Sequence, residues 1–154
     1  MGKKSAKRLP ATTEIVPKKG RRLKVLYRER CIGCFLCMYA CARTRQKELS
    51  LEKSAIRVRI NTGDEGKFSI RVCAACRDPP CAKACPEGAL KLRSGGGVVV
   101  IEKKCTGCQI CRKACVLDAI RWDMDKNVPI ICIHCSYCVG YCPHNVLGME
   151  EVDI

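Results

Sequence analysis

Three pairs of short segments in this chain alternate apolar residues with polar or basic ones. Successive side chains of a strand point to opposite faces, so a period of two predicts strands with one half-buried face. Glycine, asparagine, aspartate and serine stand between the two segments of each pair, and these residues favour tight turns. The pattern predicts three β-hairpins, at residues 55–60 with 68–72, 89–92 with 98–101, and 120–122 with 129–131.

Four runs of cysteine alternate with these hairpins. The first run reads CIGCFLCMYAC, and its C-x2-C-x2-C-x3-C spacing recurs downstream, with one wider gap in the second run. In such runs three thiolates bind one [4Fe-4S] cube, while the fourth ligates a neighbouring cube, so runs must work in pairs. The runs account for all 16 cysteines and predict four clusters: Cys31, Cys34, Cys37, Cys41; Cys73, Cys76, Cys81, Cys85; Cys105, Cys108, Cys111, Cys115; and Cys132, Cys135, Cys138, Cys142.

Two other uses of cysteine fit the chain poorly. A disulfide framework is typical of secreted proteins, and residues 1–26 contain no apolar segment that would mark export. A structural zinc site needs two cysteine pairs separated by a longer loop, not a third cysteine two residues further on in run after run. The spacing therefore favours an α+β fold of two ferredoxin-like dicluster units, in which β-hairpins and short helices surround the cluster loops.

The formal net charge of +14 at first suggests an anionic partner. An oxidised cluster with four thiolates carries −2, so four such sites would lower the charge to about +6. Basic residues concentrate in residues 1–23, which we predict to be an N-terminal arm that is either solvated or docked on an acidic partner. Aromatic residues make up only 5% of the chain, which leaves few platforms for stacking nucleic-acid bases.

Two histidines lie near the last cysteine run. His134 stands inside that run, and His144 follows it. Either side chain could donate a hydrogen bond to a cluster sulfur and raise the reduction potential of that cluster. The alternative is that both side chains lie in exposed loops.

The segment CAACRDPPCAKACPEGA, with its Pro-Pro-Cys step and its Cys-Pro-x-Gly-Ala exit, resembles the second motif of a known family. That family is the four-cluster polyferredoxin subunits of molybdenum and tungsten oxidoreductases, such as dimethyl sulfoxide reductase and formate dehydrogenase. The resemblance covers residues 24–154, which we predict to be a polyferredoxin domain. Within the family, the short chain is most similar to the small iron–sulfur subunits of tungsten aldehyde oxidoreductases.

The resemblance implies that the first run pairs with the fourth and the second with the third. Spacing alone would equally allow the first run to pair with the second and the third with the fourth. The ligand sets that the resemblance implies are Cys31, Cys34, Cys37 and Cys142; Cys41, Cys132, Cys135 and Cys138; Cys73, Cys76, Cys81 and Cys115; and Cys85, Cys105, Cys108 and Cys111.

The function that follows is electron transfer without catalysis of its own. We expect a cytoplasmic subunit of anaerobic metabolism that passes single electrons between a large tungsten or molybdenum catalytic subunit and a flavin subunit, a ferredoxin or further copies of itself. No membrane span and no nucleic-acid partner are expected. There are two alternatives. The chain could be an electron-transfer subunit of a hydrogenase or carbon monoxide dehydrogenase, or it could be a free-standing polyferredoxin carrier.

Overall fold

The computed structural model describes residues 20–61, 63 and 67–152. Short strands and helices alternate along this part of the chain, which is the mixed architecture expected from the sequence. In chain order they are β1 (Arg21–Val25), α1 (Leu36–Gln46), β2 (Arg57–Ile60), β3 (Phe68–Arg71), α2 (Pro80–Lys83), β4 (Leu90–Leu92), β5 (Val98–Val100), α3 (Ile110–Ala114), β6 (Arg121–Asp123), β7 (Val128–Ile130), α4 (Tyr137–Gly140) and β8 (Leu147–Glu151).

The strands form two-stranded antiparallel sheets. Three of them, β2-β3, β4-β5 and β6-β7, are the hairpins that the alternating pattern predicts, although most of the first turn lies outside the described residues. The fourth sheet pairs β1 with β8 and so joins the two ends of the described chain. Strand β1 contains Arg21, Arg22 and Leu23, the last three residues of the arm predicted at residues 1–23. Residues 1–19 of that arm lie outside the described residues.

The described residues contain two apolar cores, and each one combines cysteine runs that are distant in sequence. Helix α1 packs against α4, and the core around them includes Leu23, Ile56 and Leu147. Helix α2 packs against α3, and that core includes Leu90, Val98 and Trp122. The first and fourth cysteine runs therefore share one core, and the second and third runs share the other.

One detail of the first hairpin differs from its alternating pattern. Alternation predicted that Arg57 would face solvent and Ile60 the interior, yet Arg57 is 5% exposed and Ile60 is 67% exposed. The guanidinium of Arg57 is held by the carboxylate of Asp118, at a distance of 3.3 Å, and this partner lies far along the chain. Ile60 is the last residue of β2, where the strand enters the turn and leaves the core.

Among the described residues, none of the helices combines the length and the apolar character that crossing a bilayer requires.

Candidate iron–sulfur cluster sites

The structure groups the cysteines around four cavities, each lined by four thiols drawn from two runs. We number these sites and keep the names below. The first site has Cys31, Cys34, Cys37 and Cys142; the second has Cys41, Cys132, Cys135 and Cys138; the third has Cys73, Cys76, Cys81 and Cys115; the fourth has Cys85, Cys105, Cys108 and Cys111. In each set, three cysteines come from one run, and the remaining one is the last cysteine of another run.

The backbone of each tight loop turns back on itself through left-handed residues. In the first run these are Gly33 and Phe35, with φ of 70° and 58°. Gln109 and Ser136 repeat the conformation of Phe35, and each of these residues immediately precedes a helix that carries the next cysteine inward. The turn brings three thiols that are close in sequence around one centre.

The last cysteine of a run is fixed by a backbone amide. Cys85, Cys115 and Cys142 each accept a hydrogen bond from the amide four residues later, with N···S distances of 3.3, 3.5 and 3.3 Å. Cys41 lies inside the longer helix α1 and instead accepts from the amide of Ala55, at 3.4 Å. Hydrogen bonds to sulfur stabilise the thiolate form, which is the form that binds iron.

Burial and the charges of neighbouring thiols raise the pKa of several other cysteines at the four sites. Burial, followed by the charges of Cys142, Cys34 and Cys31, raises the pKa of Cys37 to about 12. Burial also raises the pKa of Cys81, to about 11, with further contributions from Cys73 and Cys115. Only a strong cationic ligand can compensate such clustering of thiolates, and metal binding at these sites must release protons.

Electrostatic interactions connect neighbouring sites. Besides burial, Cys37 of the first site raises the pKa of Cys138 in the second. Likewise Cys73 of the third site raises the pKa of Cys132 in the second, and Cys111 of the fourth raises that of Cys81 in the third. Thiols of the first and second sites, of the second and third, and of the third and fourth therefore lie close enough to affect one another.

The donor sets fit an iron–sulfur cube better than a single ion. In the described part of the chain, no three Cys, His, Asp or Glu side chains are grouped tightly enough to hold one metal ion. Each cavity is instead bordered by four thiols, one for each iron of a cube.

The profile of a protein family described as "4Fe-4S dicluster domain" matches residues 65–151, more than half of the sequence. The protein belongs to the 4Fe-4S dicluster family. The B subunit of the anaerobic dimethyl sulfoxide reductase of Haemophilus influenzae is 31% identical to it over 148 residues, covering 81% of this chain and 71% of that relative.

Two further relatives of this 4Fe-4S dicluster protein come from other oxidoreductases. The NADH-dependent phenylglyoxylate dehydrogenase subunit beta of Aromatoleum evansii is 32% identical over 123 residues, covering 77% of this chain and 28% of the relative. The formate hydrogenlyase subunit 2 of Escherichia coli is 33% identical over 100 residues, covering 65% of this chain and 47% of the relative.

The two histidines of the dicluster protein have different surroundings. His144 is half-buried and lines the first site beside Cys142. His134 is only 1% exposed, so the alternative of an exposed loop residue is wrong for it. Its Nδ1 accepts a 2.9 Å hydrogen bond from the amide of Leu23. Burial, together with Arg93 and Arg22, lowers its pKa to about 4, so the ring is neutral at neutral pH.

The sequence did not predict that one basic side chain, Arg93, would be buried near the sites. Arg93 is 7% exposed and lies close to Cys73 and Cys132, whose charges partly offset the lowering of its pKa by burial. In the sequence it appears only as one more basic residue before a glycine-rich turn. The position of His134 did carry a signal, because the first and third runs have Gly33 and Gly107 at the equivalent place in the loop.

Proposed function

We propose that this protein binds four [4Fe-4S] clusters, one in each of the four sites, with the four cysteines of each site as ligands. The observation that carries this proposal is that the cavity at each of the four sites is lined by four thiols in the three-plus-one pattern of two-cluster ferredoxins. The sets agree with those that the family resemblance implies. They favour pairing of the first run with the fourth over the sequential alternative.

We infer that the protein is a non-catalytic electron-transfer subunit. A bound [4Fe-4S] cluster accepts and donates one electron at a time. The protein's own contribution is to hold four such groups in a line, to shield the second site, and to leave one thiol exposed at each of the others. Those exposed thiols belong to Cys34, Cys76 and Cys108. Electrons would enter and leave near the two ends of the line, at Cys34 and Cys108.

The proposed partner is a large catalytic subunit of the molybdenum or tungsten oxidoreductases. The similarity to the B subunit of a dimethyl sulfoxide reductase supports this class of partner. The resemblance of the cysteine motifs to the small subunits of tungsten aldehyde oxidoreductases favours tungsten. The other end of the line would meet a flavin subunit, a ferredoxin or a further copy of the chain, in a cytoplasmic complex of anaerobic metabolism.

The test is anaerobic affinity purification of the tagged protein from its native cells, with analysis of iron, tungsten, molybdenum and nickel and identification of the proteins that co-purify. About 16 irons per chain, together with stoichiometric tungsten or molybdenum and a large partner, would support both parts of the proposal. Iron without a stoichiometric partner would favour a free carrier, and about eight irons would contradict the four-cluster assignment.

A hydrogenase partner is the second candidate. The observation that favours it is the similarity to formate hydrogenlyase subunit 2, which extends over 65% of this chain. Stoichiometric nickel in place of tungsten or molybdenum in the purified complex would select it.

A further inference from the structure

The second and third sites meet where the two cores of the protein touch. Cys73, a thiol of the third site, packs against both cores. Cys132, a thiol of the second site, is a buried member of the first of these cores. An electron that moves from one dicluster unit to the other has to cross this junction. The side chains that border the junction therefore affect the reduction potentials of the two clusters between which the electron passes.

His134 borders the junction with a nitrogen that has no protein partner. Because Nδ1 accepts the amide hydrogen of Leu23, the proton of the neutral ring belongs to Nε2, which is therefore a donor. This Nε2 is buried and makes no hydrogen bond in the described structure. A Cβ atom on Gly97 would lie 3.7 Å from Nε2 and 3.7 Å from Sγ of Cys73. The free donor and the thiol of the third site thus border the same small space.

Arg93 also lies at the junction. Its Nε donates to the carbonyl of Gly96 at 3.0 Å, and its Nη2 donates to the carbonyl of Arg21 at 3.1 Å, so the guanidinium is held at two corners. The third nitrogen, Nη1, is buried without a hydrogen-bond partner in the described structure. The charges that raise the pKa of Arg93 against the effect of burial come from Cys132 and Cys73, one from each site.

The glycine loop after Arg93 packs closely on the loop of the third site. A Cβ on Gly96 would come within 2.2 Å of the carbonyl oxygen of Ala75, because the glycine loop after Arg93 lies directly on the loop of the third site. The amide of Gly97 donates to the carbonyl of Cys76 at 2.9 Å. Buried donors without acceptors are rare in folded proteins and cost about 1–3 kcal/mol each. Two of them beside cluster thiols indicate acceptors that arrive with the clusters.

We propose that Arg93 and His134 form a polar bridge between the second and third clusters, in which Nη1 and Nε2 donate hydrogen bonds to cluster sulfurs. This inference rests on the proposed four-cluster function and adds a specific role to two residues. The fixed positive charge of Arg93 and both hydrogen bonds favour the more negative, reduced clusters, so they raise the potentials of the inner pair relative to the outer pair. An electron then passes between the two units without a low-potential barrier at the junction.

Potentiometric titration of the purified, fully loaded protein, followed by electron paramagnetic resonance, tests the bridge. Arg93→Met removes the charge and the donors at similar length, and Arg93→Lys restores the charge. His134→Gly introduces the residue that the first and third runs carry at this place in the loop, so its backbone conformation is retained. Arg57→Met is the matched control, because Arg57 is similarly buried and no cysteine contributes to its pKa.

In Arg93→Met we expect the reduced-to-oxidised ratio of two clusters to fall at least tenfold at fixed potential, which is about 59 mV for a one-electron couple. The other two clusters should be unchanged, as should all clusters of Arg57→Met, and Arg93→Lys should recover most of the shift. His134→Gly should lower one or both of the same two potentials. If Arg93→Met fails to assemble its clusters, the potentials of His134→Gly test the bridge in its place.

A second readout detects the hydrogen bond itself. In protein with ¹⁵N-labelled histidine, pulsed electron paramagnetic resonance should show a nitrogen coupling to a reduced cluster that persists in His144→Gln and disappears in His134→Gly. Unchanged potentials in both Arg93→Met and His134→Gly would overturn the bridge, as would an equal fall in Arg57→Met. The number of clusters in the unmodified protein tests the proposed function separately, because the bridge depends only on differences between variants.

Discussion

The backbone amide of Leu23 donates a 2.9 Å hydrogen bond to Nδ1 of His134, which lies 111 residues further along the chain. The bond connects strand β1 to the loop of the last cysteine run. Leu23 is itself only 3% exposed and packs in the core shared by the first and fourth runs. Strand β1 also pairs with β8, which follows Cys142. One short strand near the start of the described residues therefore positions ligands of the first two sites.

Truncation on either side of β1 tests this role. A variant that begins at Gly20 keeps the strand and is expected to load as much iron as the full chain. A variant that begins at Leu26 loses the pairing of β8, the buried Leu23 and the partner of His134. We expect it to lose the first and second clusters and to retain roughly half of its iron. Iron analysis after anaerobic reconstitution measures the difference, and equal loading of the two truncated variants would contradict it.

Paired cysteine substitutions distinguish the two ways of pairing the runs. If Cys37 and Cys142 share the first site, then Cys37→Ala with Cys142→Ala removes the same cluster that either change removes alone, about four irons. Sequential pairing would place Cys142 with Cys111, and the Cys37 and Cys142 double variant would then lose two clusters, about eight irons. The Cys111 and Cys142 double variant is the reciprocal control, with two clusters lost under the proposed pairing and one under the alternative.

Gly33 is expected to tolerate no side chain. Its φ is 70°, and a Cβ would lie 2.2 Å from Cε1 of Phe68. The left-handed conformation alone costs an alanine about 1–2 kcal/mol, and the contact with the ring adds to it. We expect Gly33→Ala to release iron to a chelator roughly five- to thirty-fold faster than the unmodified protein.

Gly140 provides the matched control for Gly33. It ends helix α4, and no atom lies within 4 Å of the position of its Cβ. Alanine has the higher helix propensity, so Gly140→Ala should leave the rate of iron release unchanged or slightly reduced. Equal rates for the two alanine variants would show that the geometry at Gly33 does not limit cluster retention.

Local patterns were sufficient to predict much of the fold and three of the four thiols that line each cavity. A hairpin depends on alternation and a turn within about 20 residues, and all three such hairpins are present. The cysteine spacing likewise specifies three thiols around one centre, because the intervening left-handed residues belong to the same loop. The 4Fe-4S class of the protein follows from this spacing, and the family to which the protein belongs agrees with it.

The features that could not be predicted depend on partners distant in sequence. The pairing of β1 with β8 joins segments more than 100 residues apart, and no local pattern marks it. Arg57 is buried because Asp118 holds its guanidinium, and a basic residue in an alternating strand otherwise indicates an exposed position. Arg93 is buried because a glycine loop and the carbonyl of Arg21 surround it. In each case a tertiary contact overrides the preference that the residue type shows locally.

The carboxylate of Asp123 connects the third hairpin to Lys53, in the segment that follows α1. Its carboxylate is 1% exposed and accepts from Nζ of Lys53 at 2.6 Å and from the amides of Asp125 and Lys126 at 3.0 and 3.1 Å. Burial alone would raise its pKa, but these hydrogen bonds lower it overall. Asp123→Ala leaves two amides without their acceptor and removes one of the two carboxylates that hold the Lys53 ammonium, so it should cost about 2–3 kcal/mol in anaerobic denaturant unfolding. Asp125→Ala, at a side chain that is 79% exposed, should cost less than about 1 kcal/mol.

The dependence on pH follows from the direction of that shift. The pKa of the Asp123 carboxyl group is lower in the folded protein than its ordinary value of 3.8. Ionisation of this group therefore stabilises the folded state at any pH above 3.8. That stabilisation is lost as the pH falls from 3.8 through the pKa of the folded state. At pH 7 and at pH 5 the group is ionised in both the folded and unfolded protein. The difference in stability between the unmodified protein and Asp123→Asn should therefore be the same at these two values. A difference that shrinks by pH 5 would mean that the Lys53 ammonium and the turn amides do not stabilise the ionised carboxylate.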